Sequence, residues 1–180
     1  SERLILEKEK LGGVRPFAYL LSKIAFLTIL AGAQALWMAV FVDFSSGWVI
    51  PGAFATRLGL LLMVNFAITA VCLGISSLMR SPEQSTLLSI YLVGFQLPLS
   101  GAVLALPDGI DSVVHPFIAA FWSWSGSLKA MEDSTYYAAI QYVTPKDYII
   151  EPMTCAFVLG VHVVVGTLIA YIGCKRSRWD

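Results

Sequence analysis

The chain has 180 residues, of which 57% are hydrophobic and 13% are charged. Soluble domains carry about half apolar and about a quarter charged residues, so this composition argues against a water-soluble fold. The 12 basic and 12 acidic side chains cancel, which leaves no overall field that would attract nucleic acid. Cys72, Cys155 and Cys174 lack the spacing of metal ligands, which disfavours a zinc site or a disulfide framework.

The chain begins with a charged segment, residues 1–15, which predicts a short helix that ends at Gly12 and Gly13. Pro16 can open the next helix, because an N–H in the first turn would have no helical partner. The pattern predicts a helix along the cytoplasmic membrane face, a bend, and then a span. Since no initiator methionine or signal peptide is visible, we expect a fragment of a longer protein.

Four long apolar stretches follow, and each is close to or above the roughly 20 residues that cross a hydrocarbon core. Lys and Arg residues precede or open the first stretch, Arg80 lies between the second and third, and further basic residues follow the fourth, so both chain ends are predicted to be cytoplasmic. The sequence thus predicts an all-α polytopic protein of a plasma membrane or bacterial inner membrane. Its four transmembrane helices are residues 17–42, 58–79, 87–106 and 153–174.

The connection between the third and fourth spans, residues 107–152, is too long for a turn and is predicted to be extracytoplasmic. Within it, residues 116–131 are apolar and aromatic but too few for a span. This pattern predicts a re-entrant or interfacial helix on the outer side. An aromatic belt resting on the outer headgroups explains it equally well.

Four polar residues whose exposure to lipid would cost free energy lie within the predicted spans, namely Gln34, Asn65, Gln96 and His162. They either line a substrate path or form interhelical hydrogen bonds worth about 0.6–2 kcal/mol each, and for any single residue the second role is favoured. No carboxylate accompanies His162 at its depth, which disfavours proton-coupled transport. Small residues at helix-packing spacing predict close contacts between spans. These are Ala31, Ala35 and Ala39 on the first span, and Ala156 and Gly160 on the fourth.

The sequence contains no phosphate loop, zinc-protease motif or nucleophile elbow, so we expect neither catalytic residues nor metal ligands in this chain. An embedded hydrolase that uses His115 with Asp111 or Asp108 is a minor alternative.

Several motifs resemble the permease domain of type-2 ATP-binding-cassette (ABC) transporters, especially the G-subfamily of White pigment and multidrug half-transporters. Pro98-Leu99-Ser100-Gly101 resembles the motif near the outer end of the family's fifth span, and Trp122-Ser123-Trp124 resembles its re-entrant outer region. Val14 and Lys8 depart from the aromatic and Arg that the family commonly has. The connection before the family's third span is similar here at Glu2-Arg3, Glu9, Gly13, Ala18-Tyr19 and Lys23.

The resemblance implies that this chain is the C-terminal part of a permease domain, preceded by two further spans and an ATP-binding cassette. The cassette would hold ATP and Mg, and this chain would need no cofactor. Further partners would be a second permease half, as a homodimer or heterodimer, and membrane lipid. The residues implied to couple the spans to the ATPase are Glu2, Arg3, Glu7, Lys8, Glu9 and Gly13. Those proposed for the substrate path are Phe95, Gln96, Leu104, Leu106 and Asn65.

The function implied is export of a hydrophobic or amphipathic substrate, driven by ATP hydrolysis in the cassette. One alternative is a membrane scaffold or assembly factor without a cassette. Another is an ion-coupled carrier, which the missing inverted repeat disfavours. For the N-terminal helix, the alternative to coupling is an interfacial helix held by lipid headgroups.

Overall fold

The computed structural model of the protein describes residues 16–46, 54–79, 81–103, 106–107, 109–132, 134, 137–138, 142 and 148–176. Within these residues the secondary structure is helical, and no strand occurs. The all-α prediction is therefore confirmed, while the predicted N-terminal helix lies outside the described residues. The helices are α1 (Pro16–Ser45), α2 (Phe54–Leu78), α3 (Pro82–Gln96), α4 (Ile110–Val114), α5 (Ala119–Lys129) and α6 (Pro152–Arg176), with 3-10 helices at Pro98–Ser100 and His115–Phe117.

Three of these helices are long and apolar enough to cross a membrane: Phe17–Ser45, Phe54–Leu78 and Pro152–Lys175. At 1.5 Å per residue they measure about 36 to 44 Å, more than the roughly 30 Å of a hydrocarbon core. Their outer faces keep large apolar side chains exposed, such as Trp37 at 71% and Phe157 at 72%. Such surfaces suit lipid, and the prediction of a multi-pass membrane protein is confirmed.

The third predicted span, residues 87–106, corresponds to a helix displaced toward the N-terminus. Ser81 caps α3 by accepting a hydrogen bond from the Gln84 N–H at 3.2 Å, and Pro82 occupies the first turn. The helix ends at Gln96, before Pro98 and before Gly101, whose φ is 76°. Its 15 residues extend about 22 Å, less than the core thickness. The number of spans, four, therefore stays a prediction.

The four longer helices, α1, α2, α3 and α6, alternate in direction in chain order, and their ends define two ends of the bundle. The proximal end carries the start of α1, the end of α2, the start of α3 and the end of α6. The distal end carries the other ends of these helices, together with α4 and α5. The sequence predicts that the proximal end is cytoplasmic.

Helices α2 and α6 pack backbone against backbone at three glycines. A Cβ added to Gly166 would lie 2.6 Å from the Ala70 carbonyl carbon and 2.7 Å from the Val71 nitrogen, and one added to Gly74 would lie 3.0 Å from the Gly166 oxygen. Gly173 meets Ser77 even more closely. Small residues permit this approach in membrane helices, where packing drives association.

The small residues singled out in the sequence only partly mark these contacts. Ala31 and Ala35 are buried on α1, at 4% and 0% exposure. On α6, however, a Cβ at Gly160 would have only the Met63 methyl group within 4 Å, at 3.8 Å. The tight contact lies at Gly166 instead, beyond the predicted pair.

Two buried clusters tie the long helices together. At the proximal end, Leu20 of α1 packs with Ala170 and Cys174 of α6. In the distal half, one cluster joins α2, α5 and α6, so α5 belongs to the core. Its buried members are Leu60, Val64, Ala67, Ala119, Cys155 and Leu159.

Candidate functional site at the distal end

Helix α5 is the aromatic segment that the sequence singled out, and it is inserted between α2 and α6. Phe121 and Leu128 are each only 3% exposed. A Cβ on Gly126 would lie 2.9 Å from a Leu60 methyl carbon and 3.1 Å from the Cys155 Cβ. The segment is thus packed in direct contact with both long helices.

Gln96, at the end of α3, provides a hydrogen-bond acceptor for a backbone N–H at the start of α5. Its side-chain oxygen accepts a hydrogen bond from the Ala120 N–H at 3.0 Å, and Gln96 is 8% exposed. The N-cap residue of α5, Ile118, offers no side-chain hydrogen bond. Gln96 therefore replaces the missing cap from another helix, which is one of the two roles that its polarity predicted.

Replacing Gln96 with Leu should lower the stability of the protein by about 1–2 kcal/mol, because the Ala120 N–H would be buried without a partner. Gln96→Glu keeps an acceptor oxygen and should cost less. Thermal unfolding of the purified full-length protein would measure this, with Val93→Leu on the exposed face of α3 as the control. Equal unfolding temperatures for Gln96→Leu and the unmodified protein would contradict the capping role.

The other residues predicted for the substrate path are not gathered into one site within the described chain. Phe95 lies next to Gln96 on α3 and is 56% exposed. Asn65, on α2, donates to the Leu61 oxygen of its own helix at 2.8 Å. Leu106 is half-buried, and Leu104 lies outside the described residues. Their role in a substrate path stays a prediction.

Two further polar residues of the predicted spans behave differently from each other. The Nδ1 atom of His162 is 2.8 Å from the Val158 oxygen one turn earlier on α6. Gln34 is exposed on α1. The first is satisfied within its own helix, and the second faces outward from this copy of the chain.

An ion pair that the sequence analysis missed joins the distal ends of α1 and α2. The two Nη atoms of Arg57 donate to the two carboxylate oxygens of Asp43 at 2.9 and 3.3 Å. The side chains are only 16% and 6% exposed, respectively. Two opposite charges on either side of a short predicted connection were the signal that could have indicated this pair.

A cluster of rings covers the distal surface of α5. His115 stacks on Phe121 with 3.9 Å between ring centroids, and Tyr148 meets His115 edge-on at 4.8 Å. Burial lowers the pKa of His115, although Asp111 partly opposes this shift. Gly101 lets the chain pass close to this cluster, since a Cβ there would lie 3.0 Å from the Tyr148 ring.

His115 and Asp111 are not arranged as a hydrolase dyad, and Asp108, the other residue of that alternative, lies outside the described residues. Asp111 accepts a hydrogen bond from the Tyr148 hydroxyl at 3.4 Å, and among the described hydrogen bonds none joins it to His115. The His115 imidazole is stacked as an aromatic ring, with its buried Nε2 unpaired within the described part of the chain. In the same residues no group of three or more His, Cys, Asp or Glu could hold a metal ion. The geometry favours a packed layer of aromatic side chains at the distal end of the bundle.

Comparison with known proteins is consistent with this architecture. A family model described as ABC-2 type transporter matches residues 1–124. The chain is also 27% identical, over 189 aligned residues, to the ABC transporter ATP-binding/permease protein Rv1747 of Mycobacterium tuberculosis (strain ATCC 25618 / H37Rv). That match covers 99% of this chain and 21% of the relative, so the chain spans about a fifth of that protein. No solved structure matches.

The family model covers more than half of the chain, and the resemblance seen in the sequence is thereby confirmed at the level of the superfamily. The long apolar helices agree with a membrane component of a transporter. The chain belongs to the ABC-2 type transporter family.

Proposed function

We propose that this chain is the permease part of an ABC exporter, which couples ATP hydrolysis in a separate cassette domain to export of a hydrophobic or amphipathic substrate. The observation that carries the proposal is the family match over residues 1–124. The relative's name joins an ATP-binding part to a permease, which supports a cassette partner for this chain. The work of this chain would then be mechanical: it would transmit movement from the cassette to the spans and perform no chemistry itself.

The proximal cluster supports a route for that mechanical work. Residues 1–15, with Glu2, Arg3, Glu7, Lys8, Glu9 and Gly13 as coupling residues, lie directly before α1. Leu20 on the second turn of α1 packs against Ala170 and Cys174 of α6, and Leu73 of α2 adjoins them. A movement applied to the start of α1 would therefore reach α2 and α6 through direct contacts.

The exposed face of α3 supports a second permease half as the other partner. Leu87, Ile90, Tyr91 and Phe95 are between 54% and 61% exposed on this helix. A path between two copies would be bordered by Phe95, with Gln96, Leu104, Leu106 and Asn65 as further candidates. In this proposal α3 and the residues after it form the third of the four predicted spans.

Charge reversal at Glu9, Glu9→Lys, should uncouple the two activities in the full-length protein reconstituted in vesicles. We expect substrate-stimulated ATP hydrolysis and transport to be lost, because an acidic contact to the cassette would become repulsive. Insertion into the membrane should not change. The matched control is Glu83→Lys, an exposed charge reversal in the first turn of α3 on the same predicted side.

Two measurements would be compared, ATP hydrolysis with and without substrate and ATP-driven substrate accumulation in the vesicles. Glu83→Lys should keep both. Substrate-stimulated hydrolysis and transport that persist unchanged in Glu9→Lys would contradict the coupling role.

A further inference from the structure

The ring cluster at the distal end contains a titratable group that the exporter proposal does not use. His115 is 6% exposed and stacks on Phe121 of α5 with 4° between the ring planes, while the Tyr148 ring lies perpendicular to it. The Nε2 atom of His115 is buried, and a Cβ added to Gly101 would lie 3.7 Å from it. The imidazole is therefore enclosed by α5, the turn at Gly101 and Tyr148.

These surroundings suit an uncharged imidazole better than a charged one. A protonated imidazole has two N–H donors, and one of them would be Nε2, which has no hydrogen-bond partner among the described residues. The face of Phe121 can attract a cation, but it does not replace a hydrogen-bond acceptor. Burial accordingly lowers the pKa of His115 from its usual 6.5, although the charge of Asp111 partly opposes this shift.

Asp111 offers a partner for the charged ring on the same helical turn. It lies four residues before His115, and its carbonyl oxygen accepts the His115 backbone N–H, so the two side chains are neighbours on the helix surface. In the structure the Asp111 carboxylate accepts hydrogen bonds from the Tyr148 hydroxyl at 3.4 Å and from the N–H groups of Gly109 and Ser112 at 3.1 and 2.6 Å. Asp111 is half-buried, so water could partly hydrate an ion pair at this position.

The other elements around His115 add no charge to it within the described chain. Helix α5 presents Phe121, and the turn after α3 presents Gly101, neither of which can ionise. Tyr148 presents a phenol, which is uncharged below about pH 9. The charge of the imidazole is thus opposed by burial and favoured by Asp111.

We propose that His115 is a pH-sensitive latch that holds the distal ring cluster closed. In its uncharged form the imidazole stacks on Phe121. In its protonated form it turns toward Asp111, so that Phe121 loses its stacked partner and Tyr148 loses its edge contact. The proposal concerns the packing of the distal end, and it does not rest on ATP-driven export.

The test follows the mobility of a nitroxide spin label at Val113→Cys, in the full-length protein with its native cysteines replaced by alanine. Val113 lies on α4 between Asp111 and His115 and is 66% exposed, so a label fits there without displacing the core. We expect the label to become more mobile as the pH falls from about 8 to about 4.5, with a midpoint below 6.5, because α4 loses its contact with α5. The same label at Phe157→Cys, on the exposed face of α6, should not respond.

Two variants assign the response to the proposed groups. His115→Phe keeps an aromatic ring against Phe121 but cannot be protonated, so the label should show no transition. Asp111→Asn keeps an acceptor for the Tyr148 hydroxyl but removes the charge that the imidazolium would meet, so the transition should move to lower pH. A label that does not respond to pH in the otherwise unmodified protein, an equal response in His115→Phe, or an unshifted transition in Asp111→Asn would each overturn the proposal.

Thermal unfolding gives a second measurement that needs no label. Because the pKa of His115 is lowered in the folded protein, the unfolded chain binds the proton more tightly, and stability falls as the pH decreases below 6.5. The unfolding temperature should therefore fall more between about pH 7.5 and about pH 5 in the unmodified protein than in His115→Phe. An equal fall in both would contradict the latch; should His115→Phe fail to fold, the shift in Asp111→Asn decides.

Neither measurement involves a nucleotide or a transported substrate. Failure of the exporter assignment would leave the pH response intact, and absence of the pH response would leave the coupling test with Glu9→Lys unaffected.

Discussion

Replacing Gly166 with Ala is expected to disrupt the packing of α2 against α6 and to reduce strongly the yield of folded protein. The added methyl group would overlap the backbone of Ala70 and Val71, at 2.6 to 2.8 Å, and a backbone segment cannot rotate aside as a side chain can. Overpacking typically costs about 1–3 kcal/mol. We expect a loss at or above the top of that range, because the two helices must separate.

Gly160→Ala is the matched control on the same helix, since its Cβ would meet only a flexible methionine methyl group at 3.8 Å. Size-exclusion chromatography and thermal unfolding of the full-length protein would compare the two variants. A Gly166→Ala protein as stable as Gly160→Ala would show that the two helices do not pack as described.

Loss of one member of the Asp43–Arg57 pair should be the second large effect, at about 3–5 kcal/mol for Asp43→Asn or Arg57→Met. Both side chains are mostly buried, so removal of one partner leaves the other charge in an apolar site. The double variant Asp43→Leu with Arg57→Met should regain much of the lost stability, because replacement of both charges by apolar groups leaves neither unpaired.

The pair of Lys129 and Glu132, which is more exposed to solvent, supplies the control. Lys129 Nζ lies 2.5 Å from Glu132 Oε2, but Glu132 is 46% exposed, and Glu132→Gln should change stability little. A double-mutant cycle on thermal unfolding would separate the coupling energy of the buried pair from the single effects. Additive single effects at Asp43 and Arg57 would mean that the pair does not act as a unit.

The sequence predicts the three long helices, and two of the helix ends in the structure lie beyond the predicted limits of the spans for one reason. The first span is predicted to end at Val42, before Asp43, and the second to begin at Leu58, after Arg57. In the structure α1 continues to Ser45 and α2 begins at Phe54. Taken singly, each charged residue indicates the end of a membrane span. In the structure the two charges neutralise each other, so both residues lie within helices.

The third predicted span shows the opposite difference, because the helix ends before the span does. Residues 97–106 are apolar enough to extend a helix, so hydropathy placed them in the span. Pro98 and Gly101 nevertheless change the backbone there, to a 3-10 turn and then to a positive φ of 76°. Hydropathy reports where lipid is tolerated, and local backbone chemistry decides where a helix ends.

The candidate site was only partly predictable. The polarity of Gln96 marked it as a residue that needs a partner, but the partner, the N–H of Ala120, is 24 residues away and follows from the docking of α5. The contact of Gly166 with Ala70 also depends on which face α6 presents. Glycine is frequent in membrane helices, so its presence alone does not indicate this contact.

The orientation of the bundle is the most direct test of the proposed coupling, because the proximal end must face the cytoplasm if a cassette is to drive its movement. Single cysteines at Ser46, at the distal end, and at Lys175, at the proximal end, would be placed in a full-length protein whose native cysteines are replaced by alanine. A membrane-impermeant maleimide should label the Ser46→Cys protein in intact cells and the Lys175→Cys protein only after permeabilisation. Labelling of Lys175→Cys in intact cells, with Ser46→Cys protected, would contradict a permease driven from its proximal end.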